Sequence, residues 1–160
     1  MRIATRVVVL FQLSTLTSVV FAADGFVFGG LSLQTTLEDA KKRYPRSTIV
    51  GRHVYVSDAD AHDHVYGIDL PDGGTVRRLK VFFERSGSQG AEYPPCERLV
   101  KTIRTQYGEP SRVQEFDEER ARNRRVSWVR GREELSLVCF RIGRQPFSAS
   151  DLTITTRGND

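Results

Sequence analysis

The chain has 160 residues, 39% of them hydrophobic, with 24 basic and 20 acidic side chains. That is enough for one domain with a core of its own and too little for a multidomain enzyme. Removing residues 1–22 would take away Arg2 and Arg6 and no acid, leaving 22 basic against 20 acidic residues, a net charge of +2. So mild a balance is no evidence of a nucleic-acid partner, which would want a clustered basic face.

The first residues carry the clearest functional signal. Arg2 and Arg6 form a positive head, residues 7–21 are mostly apolar and uncharged, and Val20, Phe21 and Ala22 offer a cleavage site after Ala22 or Ala23. The pattern predicts a secretory signal peptide over residues 1–22. Gln12, Ser14, Thr15, Thr17 and Ser18 interrupt the apolar run, and Asp24 ends it, so it is too short and too polar for a membrane anchor. No cysteine stands at the cleavage site to carry a lipid. The mature chain is expected to be periplasmic or secreted, with no integral membrane segment.

After the signal, Phe26, Val27, Phe28, Leu31 and Leu33 form an apolar lead that bends at Gly29-Gly30. A helix follows, with Thr35 or Thr36 as cap, Asp39 as a capping-box acid and Leu37, Ala40 and Tyr44 as its apolar stripe, until Pro45 stops it. Residues 49–57 read as one strand, 58–63 as a polar connection, and 64–70 as a strand with His64, Tyr66, Ile68 and Leu70 on one face. Pro71-Asp72-Gly73-Gly74 is a turn. The strand over 76–84 alternates cleanly, with Leu79, Val81 and Phe83 on the buried side.

Residues 85–95 form a Gly/Ser-containing linker between a first unit, 23–84, and a second, 96–160. The second opens on the best-punctuated helix in the chain. Cys96, Leu99, Val100, Ile103 and Tyr107 share one face, Pro94 and Pro95 precede it, and Gly108 and Pro110 follow. Residues 111–116 read as a short strand and 117–125 as a charge-dense loop or hairpin tip. The strand over 126–130 holds Trp128, Gly131-Arg132 turns the chain, 135–142 is a strand, 144–150 a loop, and 152–156 a closing strand.

Each half thus runs from helix to antiparallel strands with no parallel crossover. The expected class is α+β: two helix-plus-antiparallel-sheet units, with the helices packed on one face of the sheet. A helix ending Tyr107-Gly108-Glu109-Pro110, the strand around Val126-Ser127-Trp128, the strand 135–140 and a short final strand resemble small exported bacterial α+β domains. These include the tandem β-lactamase-inhibitor-like fold and the small lipoprotein of the outer-membrane barrel assembly machinery. The chain departs from the latter in lacking the lipid-bearing cysteine. The resemblance implies a fold and a protein-binding role, and transfers no site residue.

Four features could carry chemistry. Cys96 and Cys139, an even pair in an exported chain, are expected to form a disulfide, the alternative being two buried thiols. His62 and His64, in the run Asp58-Ala59-Asp60-Ala61-His62-Asp63-His64, are candidate metal ligands, set against a plain polar hairpin tip. Segment 117–132 holds six arginines, and Trp128 and Arg130 are candidate protein-contact residues, set against a solvated, salt-bridged tip. There is no nucleophile elbow, metalloprotease motif, phosphate loop or dinucleotide fingerprint, so no catalytic residue or cofactor is assigned. The expected function is non-catalytic binding of another envelope or secreted protein, as an inhibitor or envelope accessory. The alternative is a periplasmic metal- or small-ligand-binding protein that uses the His62/His64 loop.

The signal-peptide reading makes a direct prediction. The exported chain should begin at Ala23 or Asp24 on N-terminal sequencing, and a mature protein that retains Met1 would refute it.

Overall fold

A computed structural model describes residues 25–57, 65–71, 77–83, 93–118 and 121–157. Among the described residues the elements run α1 (Leu37–Arg43), β1 (Thr48–Val50), β2 (His53–Tyr55), β3 (Val65–Asp69), β4 (Arg78–Phe83), α2 (Cys96–Tyr107), β5 (Arg112–Glu118), β6 (Ala121–Arg130), β7 (Glu133–Ile142) and β8 (Ser148–Thr156). All eight strands belong to one antiparallel sheet in the order β1-β2-β3-β4-β8-β7-β6-β5.

The sheet corrects the expectation of two separate helix-plus-sheet units. The final strand returns to the middle and pairs with β4 on one side and β7 on the other, Leu79 meeting Ile154 and Ile154 meeting Leu135. Strands from both halves therefore share one ladder. The physical reason is that β4 and β7 each bury every second side chain on one face. A strand that alternates in the same phase, Leu152 and Ile154, fills the gap between them.

The apolar core lies on one face of the sheet. Val54, Ile68, Leu79, Val81, Phe83, Leu135, Leu137, Leu152 and Ile154 point into a core that also takes Ala40 and Tyr44 from α1 and Cys96, Leu99 and Ile103 from α2. The apolar lead adds Phe26, Leu31 and Leu33, each only 1% exposed. It is tied down by Tyr107, whose hydroxyl accepts from the Val27 amide at 2.7 Å and donates to the Val27 carbonyl at 2.8 Å. Phe26 packs edge-on against the same ring, and its amide donates to Glu133.

Both helices end as their sequences direct. Thr36 caps α1 in a full capping box with Asp39. Hydrogen bonds to its carboxylate from the Thr36 hydroxyl, then from the Thr36 amide, hold Asp39 below its ordinary pKa. At the start of α2 the chain pairs with the beginning of β8: Cys96 donates to the Phe147 carbonyl and Ala149 to the Pro94 carbonyl. At its end the Gly108 amide closes on Arg104, and the Gly108 carbonyl accepts the Trp128 indole N–H at 3.0 Å.

Several local expectations shift. Residues 49–57 split into β1 and β2 because Gly51, at φ 61°, makes a tight turn that pairs Val50 with His53. An irregularity between Val65 and Gly67 shifts the phase of β3, so Val65 is buried while Tyr66 is half-buried. The described part of 117–125 is strand and not loop, paired across β5 and β6. β8 begins at Ser148, within the expected loop 144–150, and Leu37 is exposed, outside the α1 stripe.

Cys96 and Cys139 form a disulfide with a Cα–Cα separation of 5.9 Å, joining α2 to β7. It closes a span of 43 residues, so Cys96→Ala with Cys139→Ala should lower unfolding free energy by about 4 kcal/mol in the chain-entropy account. Denaturant unfolding measures this. The intact protein should also be lighter by two hydrogens before reduction than after, and two alkylatable thiols in the native protein would refute the bond.

Candidate functional site

Because α1, α2 and the apolar lead contribute to the core on one side, the side chains between the core positions project from the other. An antiparallel sheet tolerates one wet face, and this face has a definite composition. One cross-strand row runs Tyr55, Gly67, Phe82, Asp151, Val138, Arg125, Gln114 from β2 to β5. Beside it runs a second: Val50, His53, Asp69, Lys80, Thr153, Ser136, Ser127, Arg112.

The rows make two aromatic clusters with a small polar strip between them. In the first, the His53 ring lies 4.1 Å from Tyr55 and 5.8 Å from Phe82, centroid to centroid. Its Nδ1 sits 2.5 Å from the Asp69 carboxylate. Gly67 makes this possible: a Cβ there would stand 3.0 Å from His53 Nε2 and 3.6 Å from the Phe82 ring. Lys80 extends over Phe82, 4.7 Å from the centroid, and reaches Asp151 at 3.6 Å. In the second cluster Tyr93 packs edge-on against Phe140, and the Arg125 guanidinium lies 5.7 Å from the Phe116 ring. The strip between is Thr153, Ser136 and Ser127, the two serine hydroxyls 3.1 Å apart.

Two acids on this face are engaged, Asp69 by His53 and Asp151 by Lys80, while Arg78, Arg112, Arg125 and Glu118 of the same face are exposed. The exposed apolar side chains beside them are Tyr55 at 44%, Val129 at 41% and Phe116 at 37%. A surface of this kind suits docking against a flat partner surface. The His53 ring lies among Tyr55, Gly67 and Phe82 on this face, and with Asp69 it borders a cavity that Arg52 and Arg78 also line.

The residues singled out in the sequence fall elsewhere. Trp128 is 2% exposed and belongs to the core, its indole N–H satisfied by Gly108. With Arg130 it lines a cleft of about 350 Å³ on the helix side, shared with Phe26, Tyr107 and Glu109. His62 and His64 lie outside the described residues. Among the described residues no group of three or more His, Cys, Asp or Glu side chains could hold a metal ion. His53 and Asp69 went unremarked as a pair because they stand 16 residues apart and only the pairing of β2 with β3 sets them opposite each other.

The arginine-rich segment is a cross-strand ion network on the helix side. Glu115 of β5 receives Arg122 at 2.6 Å and Arg124 at 2.9 Å, and Arg124 continues to Glu97 of α2 at 2.7 Å. Arg124 and Arg141 also lie 4.2 and 4.8 Å from the centroid of Phe147, at the end of the core.

Hydrogen bonds from Arg124 first and Arg122 second hold the Glu115 carboxyl below the ordinary 4.5 of a glutamate. A depressed folded-state pKa contributes stability that is complete above the unfolded value and lost as pH falls through the folded one. Acid titration of unfolding should therefore show a loss below pH 4.5 that is shallower in Glu115→Gln. Identical slopes in the two proteins would show that the network does not act on stability.

Comparison with family models, with curated proteins and with solved structures returns no match.

Proposed function

We propose that this chain is an exported, non-catalytic protein that works by binding another envelope or secreted protein through the open face of its sheet. The observation that carries the reading is the two-cluster face itself, with His53, Tyr55 and Phe82 on one side and Tyr93, Phe116 and Phe140 on the other of a serine/threonine strip. Tyrosine, phenylalanine and arginine dominate the energetics of protein interfaces. Small residues between them let a partner approach the backbone closely.

The face also indicates the partner's chemistry. Asp69 and Asp151 are engaged by His53 and Lys80, and the exposed charges left on the face, Arg78, Arg112 and Arg125 against Glu118, are mainly basic. The partner is accordingly a protein with a flat surface of aliphatic and aromatic side chains and some acidic groups beside them. The signal peptide over residues 1–22 and the Cys96–Cys139 disulfide fit an oxidising compartment outside the cytoplasm. The resemblance to inhibitor-like and barrel-assembly domains implies the same kind of role.

The test compares the two sides of the sheet. A photo-crosslinking residue placed at Tyr55, Phe116 or Val129 in the exported chain should capture one discrete protein. The same residue at Lys101, on the exposed side of α2, should not. Tyr55→Ala should weaken binding to the captured protein by about tenfold, the effect of losing about 1.4 kcal/mol at an interface aromatic. Its folded stability should be unchanged, because Tyr55 is an exposed side chain. Capture from Lys101 with none from the open face would overturn the reading.

A further inference from the structure

The two edges of the sheet differ. β1 is three residues long and ends in the Gly51 turn, so it offers little backbone to a newcomer. β5 is seven residues long, every one exposed, and its pairing with β6 runs without a register shift from Arg112 to Glu118. It contains no proline, lysine or bulge; its charged side chains, Arg112, Glu115, Asp117 and Glu118, are what limits pairing at this edge, so a strand that joins it must offer complementary charges. Among the described residues nothing pairs with its outer side. Val113 is 56% exposed there and Phe116 37%.

The charges along this edge are complementary to themselves. Arg112 opens the strand and Glu118 closes it, and both lie on the open face. No ion pair engages either one among the described residues; Glu118 only accepts a long 3.4 Å bond from Asn123. We propose that the outer edge of β5 pairs with the same edge of a second copy of the chain, antiparallel about Glu115, so that the two sheets become continuous.

A two-fold axis normal to the sheet keeps each face on its own side and forms an isologous contact. In this register Arg112 stands opposite Glu118 of the second copy and Glu118 opposite its Arg112. Gln114 faces the second Phe116, and Val113 the second Asp117. The central position brings two Glu115 side chains together, and each already carries two guanidinium groups, Arg122 and Arg124. These neutralise what would otherwise be a like-charge clash. Shifting the register by two residues sets Arg112 against Phe116 and leaves Glu118 without a cation, so the charge pattern selects the register centred on Glu115.

This inference does not depend on the open face being a binding site, although pairing would set two such faces side by side and make the assembly bivalent. The interface is one strand wide and is therefore a weak one, near the low end of specific contacts.

Sedimentation and light scattering of the mature protein, from micromolar to millimolar concentration, should show a monomer–dimer equilibrium that weakens as salt is raised. Arg112→Glu and Glu118→Arg should each weaken the dimer by about tenfold or more, since each turns two attractive cross-strand pairs into two repulsive ones. Mixing these two variants should restore a dimer, because the mixed pair opposes two glutamates to two arginines, and the double variant R112E/E118R should dimerise alone. Both positions concerned are solvent-exposed, and unchanged thermal unfolding confirms that the variants fold. A protein that is monomeric at every concentration overturns the proposal. So does a dimer indifferent to the single reversals, or a mixture of the two variants that stays monomeric.

Discussion

The structure depends on one placement: the last strand, β8, lies in the middle of the sheet. Arg78 meets Thr155 and Glu134 also meets Thr155, so a strand from the end of the chain bridges one from the first half and one from the second. Without it, β1–β4 and β7–β5 would be two small sheets, each with an apolar side too narrow to stabilise itself. With it, Leu152 and Ile154, both 0% exposed, become the centre of the core. A pairing so distant in sequence is entropically costly to form and makes folding slow. β5, β6 and β7 pair with their neighbours in sequence, whereas β8 must also find the distant β4.

The same placement explains what secures α2. Phe147 and Ala149, just before and within the start of β8, exchange backbone hydrogen bonds with Cys96 and Pro94. The disulfide then ties Cys96 to the adjacent β7. Helix, strand and cross-link thus meet at one corner. Tyr107 and Trp128 hold the far end of the helix, one through the Val27 backbone and the other through Gly108. With α2 fixed at both ends over one side, the other side of the sheet is left to make its own surface.

How much of this the residues announce depends on whether the signal is local. The helix 96–107, the Thr36–Asp39 capping box and the alternation in 76–84 and 135–142 are legible because capping, punctuation and period are properties of a few neighbouring residues. The central position of β8 is not legible, because 152–156 alternates like any edge or central strand and nothing local names its two partners. The charged run 117–125 misleads for a related reason. Arg122 and Arg124 look like loop residues until cross-strand pairing sets them against Glu115 of β5. Trp128 shows the reverse error: an aromatic among arginines reads as a contact residue, yet its phase with Val126 turns it into the core.

The open face was hidden by phase in the same way. His53, Tyr55, Asp69 and Phe82 are scattered over three strands, and each alone reads as an ordinary polar or aromatic strand residue. They converge because the pairing of β2, β3 and β4 sets His53 opposite Asp69 and places Gly67 between Tyr55 and Phe82, and because Gly67 leaves room for the imidazole. That convergence has a consequence for specificity. Asp69 and Asp151 are occupied by His53 and Lys80, and the aromatic rings are held in place by the strands beneath them. In the proposed docking, shape and apolar contact would therefore supply much of the selectivity, rewarding a well-matched partner over an ill-fitting one.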